Sequence, residues 1–274
     1  MRVEVVALDI DGTLLASDGS LPRRNADAIA RVQALGVGVI LATGKTYWSA
    51  VELIDRLGLA LPGVFSQGMI VREANGAILR EIALDYELVE GILAYLEQQR
   101  LPFIAYNRDG LLTPEIDPYN ENIYRKYGEP DPHFVGRMVG RARELGLNKL
   151  LIGDREHLQT RRVDLERRFG REATVLQAIP EYVEIMPKGI SKGAGVRWLL
   201  DRLQIEPRAM LAMGDGENDI EMLQMAGIGV AVGNANPRLK AIADCVVGSN
   251  DEGGVAEALD RFVPAARPVS PGHA

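Results

Sequence analysis

The segment Asp9-Ile10-Asp11-Gly12-Thr13 sets two carboxylates two residues apart, at the end of a short apolar run. Residues two apart in an extended chain point to the same side, so Asp9 and Asp11 are expected to face one space. Two close carboxylates push their proton affinities apart, which suits one to nucleophilic attack and the other to proton transfer. Gly12 permits a sharp turn directly after them. A solvated strand-end turn could carry the same residues. A calcium loop is excluded, because its twelfth position falls on Ser20 rather than on a carboxylate.

Three further segments carry related chemistry. Thr43-Gly44-Lys45 follows a second apolar run and precedes a helix pattern. A hydroxyl, a glycine N–H and a helix N-terminus together suit an anionic oxygen, although helix capping uses the same residues. Lys192 opens another helix pattern, where the helix dipole disfavours a cation unless an anion lies nearby. A solvated lysine is the plain alternative there, and Lys188 is the better candidate for a surface position. Met213-Gly214-Asp215-Gly216-Glu217-Asn218-Asp219 places three acids within five residues. Helix capping accounts for one acid but not for three, and a hard divalent cation such as Mg²⁺ would relieve their repulsion. Nucleophile, acid/base, hydroxyl, N–H donors, lysine and metal cluster together make an inventory for phosphoryl transfer.

The elements that must position these residues alternate along the chain. Strand patterns fall at Val3–Leu8 and Val37–Ala42, and helix patterns at Pro22–Leu35 and Tyr47–Leu57. The rhythm returns with a helix at Lys192–Leu203, a strand at Ala209–Met213, a helix at Asp219–Met225, a strand at Ile228–Val232 and a helix from Pro237. Short links between β-branched runs and amphipathic helices predict an α/β fold with a doubly wound, mostly parallel sheet. The middle of the chain differs. It predicts helices at Tyr86–Gln99, Phe134–Leu145 and His157–Phe169, with strands at Pro102–Tyr106, Asn148–Ile152, Ala173–Gln177 and Tyr182–Ile185. Thr113–Pro132, rich in Pro, Asn and Tyr, is expected to be irregular. The expected division is a core of residues 1–83 and 187–274 and an inserted α+β domain of residues 84–186.

Composition narrows the function classes. The 274 residues are 47% hydrophobic and 25% charged, as in ordinary globular chains, and the formal net charge is -7. That balance opposes binding to nucleic acid or to an anionic membrane surface. A single cysteine, Cys245, precludes an internal disulfide and suits a reducing, cytoplasmic setting. No apolar run has the length of a membrane span, and Met1-Arg2-Val3-Glu4 does not read as a secretory leader. His133, His157 and His273 lack metal-ligand spacing. Cys245 is expected to pack inside a strand, the arginines at 161, 162, 167, 168 and 171 to form a solvated face, and Tyr119, Tyr124 and Tyr127 to pack beneath a loop or line a pocket. The last dozen residues, with Pro264, Pro268 and Pro271, are expected to fray.

With its four motifs in this order and an insertion of this size, the chain resembles the haloacid dehalogenase superfamily phosphatases, within them the Cof-type group with a type IIB cap. The resemblance implies Asp9 as nucleophile and Asp11 as general acid/base, with the Asp11 carbonyl also reaching Mg²⁺. It implies Thr43, Gly44 and Lys192 around the phosphoryl group and Asn218 near it. It implies metal binding by Asp9, Asp11, Asp215 and Asp219, with Asp219 supporting the shell. Gly233-Asn234-Ala235-Asn236-Pro237 resembles a segment near the active site, which makes Asn234 a further contact. Two departures bear on substrate identity: Lys45 stands where the family commonly has arginine, and Gln67-Gly68 where it often has Asn-Gly. Lysine cannot make the two-pronged contact of a guanidinium.

The expected activity is Mg²⁺-dependent hydrolysis of small phosphorylated metabolites through an aspartyl-phosphate. A phosphomutase or phosphotransferase on the same core is an alternative, and so is a non-catalytic sensor of phosphorylated metabolites. The sequence does not fix the oligomeric state.

Overall fold

The structure is a computed structural model that describes residues 2–115, 117, 120, 124–126, 128–154 and 156–264. Tyr119, Tyr127, Pro268, Pro271 and His273 lie outside the described residues. By compactness the chain divides into two units, one of Met1–Gly44, Glu52–Ala77 and Ser191–Ala274, the other of Lys45–Val51 and Ile78–Ile190.

The first unit is built on a parallel sheet. Its strands are β1 (Val5–Leu8), β2 (Gly38–Leu41), β12 (Met210–Gly214), β13 (Ile228–Ala231) and β14 (Cys245–Val246), in the order β14-β13-β12-β1-β2. β1 and β12 are buried at every position, as a strand covered on both faces must be. Helices α1 (Arg23–Ala34), α6 (Lys192–Leu203), α7 (Ile220–Met225), α8 (Pro237–Ile242) and α9 (Gly254–Phe262) belong to this unit, while α2 (Tyr47–Leu57) runs from one unit's residues into the other's. Strands β3 (Gly63–Phe65) and β4 (Ile70–Arg72) form an antiparallel pair, and Val64 bridges in parallel to Ala42 just beyond β2.

Strand order places the site. The chain runs from β1 outward to β2 on one side, and later fills the other side from β12 to β14. The carboxyl end of β1 is therefore the switch point, where open α/β sheets bind ligands. Register pairs Leu8 with Met213 and with Leu41, so the chain after each of these strands leaves the sheet at one level.

The second unit has the sheet order β10-β11-β9-β6-β7-β8, with β6 (Phe103–Asn107), β7 (Gly110–Thr113), β8 (His133–Phe134), β9 (Lys149–Gly153), β10 (Ala173–Ile179) and β11 (Tyr182–Pro187). Pairing is antiparallel except between β7 and β8. One face packs on α3 (Tyr86–Gln99), α4 (Ala142–Leu145) and α5 (Leu158–Phe169), through Leu88, Ile92, Leu96, Leu150 and Val183 among others. The other face gathers Ile104, Tyr106, Leu111, Leu151, Tyr182 and Tyr124, so Tyr124 packs beneath its loop. The short strand β5 (Ile78–Glu81) also falls in this unit.

The expected doubly wound α/β core with an α+β insertion is thus observed, with corrections of detail. A helix over residues 134–145 does not form: Gly136 and Gly140 take φ of +68° and +87°, and only Ala142–Leu145 is helical. Residues 124–126, expected to be irregular, are helical. Cys245 is half-buried rather than enclosed, and Arg261 Nη1 lies 2.9 Å from its sulfur. Arg161 is not fully solvated, since it donates to Asp154 at 3.0 Å and also bonds the Tyr95 hydroxyl. Among the described residues no helix is long and apolar enough to cross a membrane.

Candidate active site

Four loops supply the polar residues of the site. The Asp9 N–H donates to the Met213 carbonyl at 3.1 Å, which ties the end of β1 to the end of β12. Beyond Asp9 the chain enters a turn, Ile10–Leu14, in which Gly12 has φ +76°. A Cβ at residue 12 would overlap the Asp215 carboxylate. The turn is clamped from outside: the Asn25 and Asn250 carboxamides donate to the Leu14 and Leu15 carbonyls, both at 3.0 Å.

Lys192 and three carboxylates form the centre. Lys192 is 2% exposed, and its ammonium donates to Asp9 Oδ1 at 2.6 Å and to Asp219 Oδ1 at 2.8 Å. Asp219 is fully buried, and its Oδ2 accepts the N–H groups of Asp215 and Gly216 at 3.1 and 2.9 Å. Asp215 Oδ1 accepts from the Thr13 hydroxyl at 2.9 Å. Carboxylate oxygens of Asp9, Asp215 and Asp219 all lie within 4.8 Å of one another. Three acids against one ammonium leave an excess of negative charge in a buried space.

The proton affinities record that excess. Burial raises Asp9 to a pKa of about 6; Lys192 draws it down, and the neighbouring Asp215 pushes it up again. Burial likewise raises Asp219 to about 6, with the Asp9 charge adding to it and Lys192 opposing. Asp215 is raised, first by burial. For Lys192 burial works toward neutrality, but the charges of Asp9 and Asp219 outweigh it and hold the ammonium above its ordinary range. Acids held above their usual range beside each other fit a divalent cation, which would take over the charge that a proton otherwise neutralises. Asp9, Asp215 and Asp219 are the residues that could hold it.

Other expected site residues take more varied places. Asp11 is exposed while Asp9 is buried, and both keep extended backbone angles, φ/ψ of -70°/159° at Asp9 and -77°/129° at Asp11, before the chain turns at Gly12. The acid that raises Asp9, Asp215, comes from the β12 loop. Thr43 is buried, its N–H donates to the Val64 carbonyl at 2.9 Å, and its own carbonyl accepts from Gln67 N–H at 3.1 Å. Asn218 is exposed and donates to Gln67 Oε1 at 3.1 Å. Asn234 donates to the Gly12 carbonyl at 2.8 Å and accepts from Asn250 N–H at 3.0 Å, which makes it a brace for the Asp9 turn.

Sequence reasoning assigned no role to Thr13, Asn25 or Asn250. Thr13 sits inside the Asp9 motif and could have been read as an acceptor's partner. Asn25 bonds a turn 11 residues away and Asn250 one 235 residues away, and neither left a local signal.

Gly68 fixes the turn between β3 and β4. It has φ +97°, and a Cβ there would overlap the Ser191 carbonyl at the start of α6. Gly68→Ala should therefore destabilise the first unit by about 3 kcal/mol or more, since both backbones would have to move. Urea unfolding followed by circular dichroism measures this; an unchanged midpoint would contradict the close approach.

A doubly wound sheet with an acid–lysine cluster at its switch point defines a class of enzyme, and comparison with known proteins identifies it. Residues 6–259 match the family of haloacid dehalogenase-like hydrolases, and the chain belongs to that family. It is a hydrolase. The chain is 34% identical over 272 residues to a chloroplastic endoribonuclease YBEY of Arabidopsis thaliana; the match covers 95% of this chain but 47% of the plant protein, so this chain spans about half of that relative. It is 26% identical to the 5-amino-6-(5-phospho-D-ribitylamino)uracil phosphatase of Bacillus subtilis, with 95% of this chain and 98% of that one covered. A crystal structure of a Thermotoga maritima protein superposes with a TM-score of 0.89 at 26% identity, over 95% of this chain and 97% of the other.

Proposed function

We propose that this chain hydrolyses phosphate monoesters of small metabolites, with Asp9 as nucleophile and Asp11 as general acid/base. The observation that carries the reading is the buried Asp9 carboxylate, held by Lys192 through one oxygen and flanked by Asp215. With Oδ1 engaged by the ammonium, Oδ2 is the oxygen that attacks phosphorus. A bond forms from Asp9 to phosphorus as the ester bond breaks, and Asp11 gives its proton to the departing alkoxide. Asp11 then takes a proton from the water that attacks the aspartyl-phosphate, which releases inorganic phosphate and restores Asp9.

The obstacle is charge, because an anionic carboxylate must meet an anionic phosphate. One pair of unit charges about 4 Å apart repels by roughly 4 kcal/mol at an effective dielectric near 20. Lys192, already between Asp9 and Asp219, offsets part of this and stabilises charge on the phosphoryl oxygens as they spread in the transition state. Mg²⁺ held by Asp9, Asp215 and Asp219 would supply further neutralisation and polarise the phosphoryl group. Asp219 supports that site by orienting the Asp215–Gly216 backbone, and Thr43 and Gly44 offer the phosphoryl group a hydroxyl and an N–H. Residues 1–83 and 187–274 act as the catalytic core, and residues 84–186 select the substrate. The Bacillus relative is named for a small phosphorylated metabolite, which supports the same substrate class here. Ribonuclease activity is not part of this reading, since a formal charge of -7 opposes a polyanionic substrate.

A panel of phosphate monoesters, assayed for inorganic phosphate with Mg²⁺ and with EDTA, tests the proposal. Metal-dependent phosphate release is expected; transfer of the phosphoryl group to an added alcohol without release would indicate a phosphotransferase instead. No turnover on any ester would leave a binding protein. Metal binding has its own readout. With Mg²⁺ at a hundred times its dissociation constant, the unfolding free energy should rise by about 2.7 kcal/mol at pH 7.5. The gain should shrink as the pH falls through about 6, where Asp9 and Asp219 take up protons that compete with the ion. Asp215→Asn should abolish the Mg²⁺ shift in a thermal melt, and a full shift in that variant would remove Asp215 from the site.

A further inference from the structure

The turn between β3 and β4 carries a cost that the fold does not explain. Ser66 and Gln67 have φ of +50° and +60°, the left-handed region, in succession and with no glycine between them. Non-glycine residues hold such geometry where the surroundings impose it, and such strain concentrates at functional sites. Ser66 is buried, and Gly68 next to it is pinned against the Ser191 carbonyl. The turn is thus wedged between the Thr43–Gly44 loop, the start of α6 that bears Lys192, and the Asp215–Asp219 loop.

The strained backbone delivers one side chain, that of Gln67. Its Oε1 accepts from Asn218 Nδ2 at 3.1 Å, which fixes the orientation of the carboxamide. Its Nε2 is then directed toward Gly44, where a Cβ would come within 2.8 Å of it. Nε2 has no acceptor among the described residues. An oriented amide donor, half-buried and without an acceptor, borders a loop that supplies N–H and hydroxyl groups for an anion.

We propose that Gln67 contacts the substrate, donating a hydrogen bond from Nε2 to an oxygen of the phosphoryl group, with Asn218 as the positioning residue that turns the amide toward it. This rests on the reading that the pocket holds a phosphoryl group. It adds a fifth loop to the four that the motifs supply. It also assigns Gly44 a second task, leaving room for the carboxamide beside the anion.

The test measures binding of orthophosphate, by calorimetry in the presence of Mg²⁺, and hydrolysis of 4-nitrophenyl phosphate. Gln67→Ala should weaken orthophosphate binding about tenfold or more, as expected for one hydrogen bond to a charged acceptor. Gln67→Glu should weaken it further, because a carboxylate repels the anion. Gln67→Gly accommodates the left-handed backbone and guards against misfolding; it should melt no lower than the native protein yet bind orthophosphate as poorly as Gln67→Ala. A merely structural role predicts the reverse pattern, with lowered melting in Gln67→Ala and unchanged orthophosphate affinity in Gln67→Gly. Affinity within twofold of native in both Gln67→Ala and Gln67→Gly would overturn the assignment. The outcomes separate from those of the phosphatase reading. A native enzyme that hydrolyses no ester sinks that reading, while an active native enzyme indifferent to Gln67 sinks only this one.

Discussion

Asp9→Asn is expected to abolish phosphate release, lowering turnover by about four orders of magnitude or more, while the protein stays folded. A nucleophile that forms the covalent intermediate has no substitute in the pocket, and losses of this size are usual when one is removed. The carboxamide matches the carboxylate in size, and Lys192 keeps Asp219 as a partner at 2.8 Å. The same variant should melt higher than native in EDTA at pH 7.5. Asp9 has a folded pKa of about 6, above that of an unfolded aspartate, so its ionised form opposes folding once the pH exceeds that value. A gain on the order of 2 kcal/mol is expected there, fading as the pH falls toward 4, where the carboxyl is protonated in both states. Undiminished turnover in Asp9→Asn would refute the nucleophile, and melting below native across that pH range would refute the account of its charge.

Lys192→Met should have the largest effect on stability. The methionine fills a similar volume, but it leaves Asp9 and Asp219 buried beside Asp215 without the ammonium that bridges the first two. Removing one partner from a buried ion pair costs about 3–5 kcal/mol. Chemical denaturation at pH 8 in EDTA should show this loss, and the gap to native should narrow at pH 5 because the carboxylates then protonate. Turnover should fall as well, since the carboxylate proposed to attack loses the ammonium that faces it. A loss under 1 kcal/mol at pH 8 would show that the lysine does not hold the cluster together.

How far the sequence carried can be judged from particular residues. The β1 and β12 runs were legible because a strand buried on both faces must be apolar throughout, and their ends located Asp9 and Asp215. Helix α2 was legible from its period between Thr43-Gly44 and Gly58. The strands β3 and β4 are only three residues each, too short for a periodic signal, so the turn bearing Gln67 stood out solely as a departure from a family pattern. The predicted helix over residues 134–145 failed because two glycines with positive φ outweighed an apolar spacing that fits a helix. Partners such as Asn250 and the Leu15 carbonyl, 235 residues apart, cannot be seen without the fold.

Both oxygens of Asp219 are occupied by protein donors, the Lys192 ammonium on one and two backbone N–H groups on the other. The loop that carries Asp215 is therefore shaped by the chain itself and not by an ion. On the proposed metal-dependent reading, chelation should switch the enzyme off while leaving its architecture standing, and readmitting the ion should restore activity without a refolding delay. A bound ion would then come and go as a reversible exchange, unlike in small domains that owe their folded state to one.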